Sequence, residues 1–133
     1  MAKSSESTSR FRLPTDAELR ILQVLWGRGS GTVREVHEAL SDRDVGYTTV
    51  LKQMQIMAEK GLLARNERYR SHVYEASAPR ELVQRLMTRN LLQRVFEGSA
   101  RDLVLGALSS QPISSSELAE IRKTIEKFER RKA

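Results

Sequence analysis

The chain has 133 residues, with 23 Lys and Arg against 17 Asp and Glu, a formal net charge of +6, and no cysteine. That length suits one compact domain with an assembly arm, and the missing cysteines exclude a disulfide framework, a thiolate metal site and a cysteine nucleophile. No apolar run reaches the roughly 18–20 residues of a spanning helix and Met1–Ser9 is too polar for a signal peptide, so a cytoplasmic protein is expected, its basic balance fitting a polyanionic partner.

Residues 1–12 read as a flexible leader rich in Ser, with Arg10 and Arg12 as a short arm towards phosphate. Thr15-Asp16-Ala17-Glu18 is a capping-box pattern, in which a hydroxyl and a carboxylate satisfy backbone N–H groups at a helix start. It opens an apolar run at Leu19, Leu22, Leu25 and Trp26, closed by Gly27 and Gly29. Thr32-Val33-Arg34-Glu35 repeats the pattern and opens a short helix through Leu40, with Val36, Ala39 and Leu40 inward. Ser41–Gly46 is then a polar turn.

Val45–Leu63, reading VGYTTVLKQMQIMAEKGLL, is the most informative stretch. At about 100° per residue, Val50, Leu51, Met54, Met57, Ala58 and Gly61 share an arc roughly 120° wide that must face a core. The opposite side presents Thr48, Thr49 and Lys52, with Gln53 and Gln55 on its flanks and no acid before Glu59. Such side chains hydrogen-bond base edges without repelling phosphate. Gly61 supplies the left-handed residue that ends the helix. Leu62–Glu67 and His72–Ala76 have strand character, and between them Arg68 to Ser71 form a polar tip with two arginines. Helix, Gly stop, hairpin and basic tip predict a winged helix-turn-helix over residues 13–77. Thr48, Thr49, Lys52, Gln53 and Gln55 would enter the major groove of double-stranded DNA, and Arg68, Arg70 and His72 would meet the backbone or minor groove.

Beyond the hairpin, Pro79–Phe96 carries a broad apolar stripe, broken at Glu97-Gly98. Ser99 caps a short apolar helix through Leu108, and Ser114–Glu117 opens a last helix with Leu118, Ile121, Ile125 and Phe128 at helical spacing. Three small helices expose more apolar surface than one copy can cover. Residues 78–133 are therefore read as a dimerisation region, with Leu86, Leu91, Val95, Leu105 and Ile121 in a shared interface. Two-fold symmetry would set two reading heads on a palindromic operator. The fold class expected is mainly α with a small β hairpin.

With these residues in place, the chain resembles the family of penicillinase repressors and copper-transport repressors. The resemblance runs from about Leu13 to Phe128 and is carried by LPTDAELRILQVLW (Leu13–Trp26), TVREVHEAL (Thr32–Leu40), YTTVLKQMQIMAEKGLL (Tyr47–Leu63) and NLLQRVFEGSARDLVLGAL (Asn90–Leu108). It implies a homodimeric winged-helix repressor released by a signal, which in well-known members passes through a membrane metalloprotease acting as antirepressor. It also implies DNA contacts in the helix matching Thr48–Gln55 and the wing matching Arg68–His72. Two departures stand out. The copper-responsive branch has a C-terminal cysteine cluster that this chain lacks. The antibiotic-responsive members are cut at an Asn-Phe bond where this chain has Gly106-Ala107, the region proteolysis would be expected to strike.

Other residues have plainer roles. Met54 and Met57 are core residues at helical spacing, and Trp26 anchors the first helix. His37 and His72 have no cysteine or acidic cluster near them, so neither metal nor cofactor is expected. The carboxylates form no paired acid–base site, so the chain is not expected to be an enzyme. The rival to DNA binding is a protein-interaction adaptor built on the same fold, which would more often make the outward face of the third helix apolar or acidic.

Overall fold

The computed structural model describes residues 12–40, 45–68, 70 and 72–132. Among these are six helices and one antiparallel hairpin: α1 (Asp16–Arg28), α2 (Val33–Ala39), α3 (Tyr47–Glu59), β1 (Leu63–Asn66), β2 (Val73–Ala76), α4 (Arg80–Arg94), α5 (Ala100–Ser110) and α6 (Ser115–Lys132). The expected leader falls almost wholly outside the described residues, as do positions 41–44 of the turn before α3. The chain divides into two compact units between Thr88 and Arg89, inside α4.

Both capping boxes form. The Thr15 hydroxyl accepts the Glu18 amide at 3.2 Å while the Glu18 carboxylate accepts the Thr15 amide at 3.0 Å. Thr32 and Glu35 repeat this at 3.1 and 2.9 Å. Four orphan N–H groups begin every helix, and a reciprocal pair of this kind stabilises the start by about 1 kcal/mol. At the other ends, Gly29 and Gly61 turn the chain with φ of 91° and 85°, a region closed to most side chains.

The first unit is a winged-helix body. Ile21, Leu22 and Leu25 of α1, Val33 and Val36 of α2, and Val50, Met54 and Met57 of α3 close on one another and on Leu62, Leu63 and Tyr74. The inward faces differ in detail from the sequence expectation. Val33 rather than Ala39 seals α2, since Ala39 is exposed. Leu19 and Trp26 are only half-buried, because they lie on the side of α1 that meets Val83 and Met87 of α4. The Trp26 indole donates to the Ala78 carbonyl at 2.9 Å, and the Arg80 guanidinium lies 5.8 Å from the centre of its ring.

The hairpin pairs Leu63 with Ala76, Ala64 with Glu75, Arg65 with Tyr74 and Asn66 with Val73. Two strands alone are marginal in water. Here Gly31 acts as a third: its amide donates to the Tyr74 carbonyl at 2.9 Å and its carbonyl accepts the Tyr74 amide at 2.8 Å. A Cβ on Gly31 would meet the Arg28 side chain at 3.4 Å and Leu25 at 3.5 Å.

In the second unit, Glu97 and Gly98 take positive φ of 49° and 84° to end the chain's run from α4, and Ser99 caps α5 through the Asp102 amide. Gly106 sits where a Cβ would lie 3.4 Å from the Phe96 ring. Neither α5 nor α6 contains a buried residue.

Glu18 is the one buried charged residue among the described residues, with its carboxylate 3.0 Å from the Lys60 ammonium just past α3. Burial pushes its pKa up; the Thr15 amide and Lys60 together more than offset this and hold it below the ordinary 4.5. A depressed carboxylate contributes stability that is complete above the unfolded value and is lost as pH falls through the folded one. Glu18→Ala should therefore lower stability by about 1–2 kcal/mol near pH 7, by loss of the cap and of the Lys60 partner. Urea titrations should show the gap to wild type narrowing as pH is taken down to about 3; a gap independent of pH would mean that the charge on Glu18 contributes nothing.

Candidate nucleic-acid interface

The outer face of α3 follows from its amphipathic register. With Val50, Met54 and Met57 sealed inside, Thr48, Thr49, Lys52 and Gln55 emerge exposed, together with Ile56. No acidic residue lies in the first turn of α3, and Lys52 makes no ion pair among the described residues. Gln53 is set apart from this group. It is half-buried and borders a small cavity of about 80 Å³ with Ala17, Ile21 and Leu40, on the flank of α3 nearest α1.

Both ends of this helix are fixed by residues distant in sequence. At the C-terminal end, Lys60 donates its amide to Ile56 and its ammonium to Glu18. At the N-terminal end, a His37 ring nitrogen lies 2.9 Å from the Val45 carbonyl, one residue before the helix cap Gly46. A carbonyl only accepts, so Nε2 carries the proton. The same imidazole meets the Tyr47 ring edge-on, with centroids 6.1 Å apart and planes at 87°. His37, plain in the sequence, thus positions the start of the reading helix.

On the hairpin, Arg68, Arg70 and His72 are all exposed. The Arg68 amide donates to the Asn66 side chain at 2.9 Å, which shapes the turn. Arg65, by contrast, is engaged: a hydrogen bond to the Tyr74 hydroxyl and an ion pair with Glu67 at 2.7 Å raise its pKa. Arg68 and Arg70 form no ion pair among the described residues, so the tip keeps two uncommitted cations. Tyr69 and Ser71 lie outside the described residues, as does Arg10; Arg12 is exposed.

Between α2, α3 and β2 lies a cleft of about 310 Å³, bordered by Arg34, Tyr47, Leu51, His72 and Tyr74. Tyr47 is 44% exposed and Arg34 is exposed as well. Neither was singled out from sequence. A tyrosine at a helix start counts as apolar in a periodicity reading, and Arg34 is hidden inside a capping-box pattern.

Of the residues expected at a dimer interface, Leu86 belongs to the first unit and is half-buried. In the second unit Ile121 is half-buried, while Leu91, Val95 and Leu105 are exposed, Val95 to 56%. Val104, Ile125 and Phe128 are exposed as well, Phe128 to 60%. Gly106 and Ala107 lie within α5. Among the described residues no cluster of three or more His, Asp or Glu is placed to hold a metal ion, and no helix is long and apolar enough to cross a membrane.

Comparison with known proteins places these features in a lineage. The family model described as penicillinase repressor matches residues 14–127. The transcriptional regulator BlaI of Mycobacterium tuberculosis is 42% identical over 87 residues, covering 63% of this chain and 63% of that protein. The penicillinase repressor of Bacillus licheniformis is 25% identical over 119 residues, 89% of this chain and 93% of that one. The methicillin resistance regulatory protein MecI of Mammaliicoccus sciuri is 19% identical over 114 residues, 85% and 93% of the two chains.

Proposed function

The chain belongs to the penicillinase repressor family, and we propose that it is a transcriptional repressor that binds a palindromic DNA operator as a homodimer. The observation that carries this reading is the outer face of α3. It presents hydroxyls, an amide and one ammonium without an ion pair among the described residues, free of carboxylate through its first three turns, on a helix fixed at both ends. In the major groove, Lys52 has the reach to donate to guanine O6 and N7, Gln55 the donor and acceptor that match adenine, and Ile56 or a Thr methyl the surface for a thymine methyl. Residues 13–77 form the reading head, with Arg68, Arg70 and His72 on the flanking backbone. Residues 78–133 join two copies by covering the apolar positions of α4, α5 and α6. Bound in this way, the dimer excludes the transcription machinery from the promoter.

Release of the operator is proposed to follow a signal relayed by a membrane metalloprotease that acts as antirepressor. Severing α5 would detach α6 and so weaken the dimer. The Gly106-Ala107 bond lies inside α5 with Gly106 against Phe96, so a protease reaches it only after local opening. The pair offers no large side chain to grip, which favours a cut at another bond or release with the chain intact.

Three variants test the proposal. Lys52→Ala should leave the fold intact, because Lys52 points away from the core, and should weaken operator binding by about 1–3 kcal/mol, more than it weakens random DNA. A gel-shift titration with unchanged affinity would remove Lys52 from the interface. Replacing Arg68 and Arg70 together with Ala should flatten the dependence of log affinity on log salt by up to about two units; an unaltered slope means that the tip faces solvent in the complex. Leu105→Asp introduces a charge where apolar cover is expected, at a cost of several kcal/mol. Sedimentation should show dimer for the wild type and monomer for the variant, with operator affinity collapsing alongside. A wild type that is monomeric at micromolar concentration refutes the homodimer.

A further inference from the structure

The cleft between α2, α3 and β2 has a chemistry that the reading face alone does not use. Its rim carries three hydrogen-bond donors from three different elements: the Arg34 guanidinium from α2, the Tyr47 hydroxyl from α3 and the His72 imidazole ahead of β2. Its walls are apolar, with Val33 and Tyr74 buried and Leu51 half-buried. Among the described residues no carboxylate lines it. The nearest acid in sequence, Glu35, is turned away, 2.9 Å from Arg28 and accepting the Thr32 amide. Arg34 itself makes no ion pair among the described residues. The other face of the same hairpin offers a sharp contrast: a groove of about 440 Å³ lined by Arg65, Glu67 and Glu75, where Arg65 is already neutralised by Glu67. Among the described residues, the lining on the Arg34 side holds a cation and no carboxylate, whereas the Arg65 groove holds both.

We infer that this cleft seats one backbone phosphate of the bound DNA, with Arg34 and Tyr47 as donors alongside His72. The inference rests on the repressor reading above and adds a position to it. Tyr47 and Leu51 border the cleft on the same helix that presents Thr48, Lys52 and Gln55, so a strand whose bases meet that face carries its phosphates past the cleft mouth. Arg34 supplies charge and a planar fork that fits two phosphate oxygens, and Tyr47 supplies a rigid neutral donor. The His37 ring packed edge-on against Tyr47 fixes where that hydroxyl points. A phosphate contact orients the protein on the duplex and carries no base information. The cleft would thus fix the angle at which α3 enters the groove.

The test uses the full chain, an operator duplex selected from a random library by the wild-type protein, and a random-sequence duplex, titrated by fluorescence anisotropy over a range of salt. Tyr47→Phe keeps the ring against His37 and removes one oxygen, so its urea midpoint should match the wild type. Arg34→Ala changes a surface residue. Each variant should weaken both duplexes by a similar factor, roughly threefold to tenfold, and Arg34→Ala should lower the salt slope by about one unit. Wild-type affinity and slope in both variants, while Lys52→Ala still impairs operator binding, would overturn the phosphate seat and leave the repressor reading standing. A loss confined to the operator would also overturn it, because base readout would then be responsible. If the wild type binds no DNA at all, both readings fall together.

Discussion

The two backbone hydrogen bonds between Gly31 and Tyr74 are the constraint on which the first unit depends. They join the connection between α1 and α2 to the second strand of the hairpin, and so tie together two parts of the chain that the core alone would leave to slide. Tyr74 is buried to 1% exposure, the largest of the side chains sealed inside. Its backbone fixes the hairpin in register, its ring fills the space under β2, and its hydroxyl accepts from Arg65. A Cβ at Gly31 would lie in ordinary van der Waals contact with Arg28, Leu25 and Val36, 3.4 to 3.6 Å away. A hairpin held in this way is anchored to the connection between α1 and α2, which a two-stranded ribbon on its own would not be.

The same economy governs charge. Three of the acidic residues around the reading head are engaged: Glu18 by Lys60, Glu35 by Arg28 and Glu67 by Arg65. What remains on the outer face of α3 before Glu59, and at Arg68, Arg70 and His72, is neutral or positive. The net charge of the chain is modest, yet the outer face of α3 is favourable to an anion because these three carboxylates are paired and none lies in the first turn of α3. Composition alone conceals this sorting.

Much of the fold was legible from sequence because its signals are local. The capping boxes at Thr15 and Thr32, the glycine stop at Gly61 and the strands on either side of the basic tip each need only a few neighbouring residues, and the structure has each of them. The period of α3 separated Thr48, Lys52 and Gln55 from the core for the same reason. Gln53 shows the limit of that reading, since a flank position faces solvent or a neighbouring helix depending on where α1 lies. The pairs Glu18–Lys60, Gly31–Tyr74 and Trp26–Ala78 were illegible: each joins residues more than forty positions apart, and each uses a backbone group or a charge that looks ordinary in isolation. The positioning role of His37 is illegible as well, because its acceptor is a carbonyl, which sequence does not display.

Trp26 is the only tryptophan in the chain. Its indole is hydrogen-bonded to Ala78 at the entry to α4 and lies under Arg80, half-shielded from water. Its emission therefore belongs to a single place, the junction where the hairpin ends and α4 begins. The protein carries an optical reporter of that junction without any label. Separation of α4 from α1 would hydrate the ring, remove the guanidinium above it and shift its spectrum, while events confined to the tip of the wing would leave it dark.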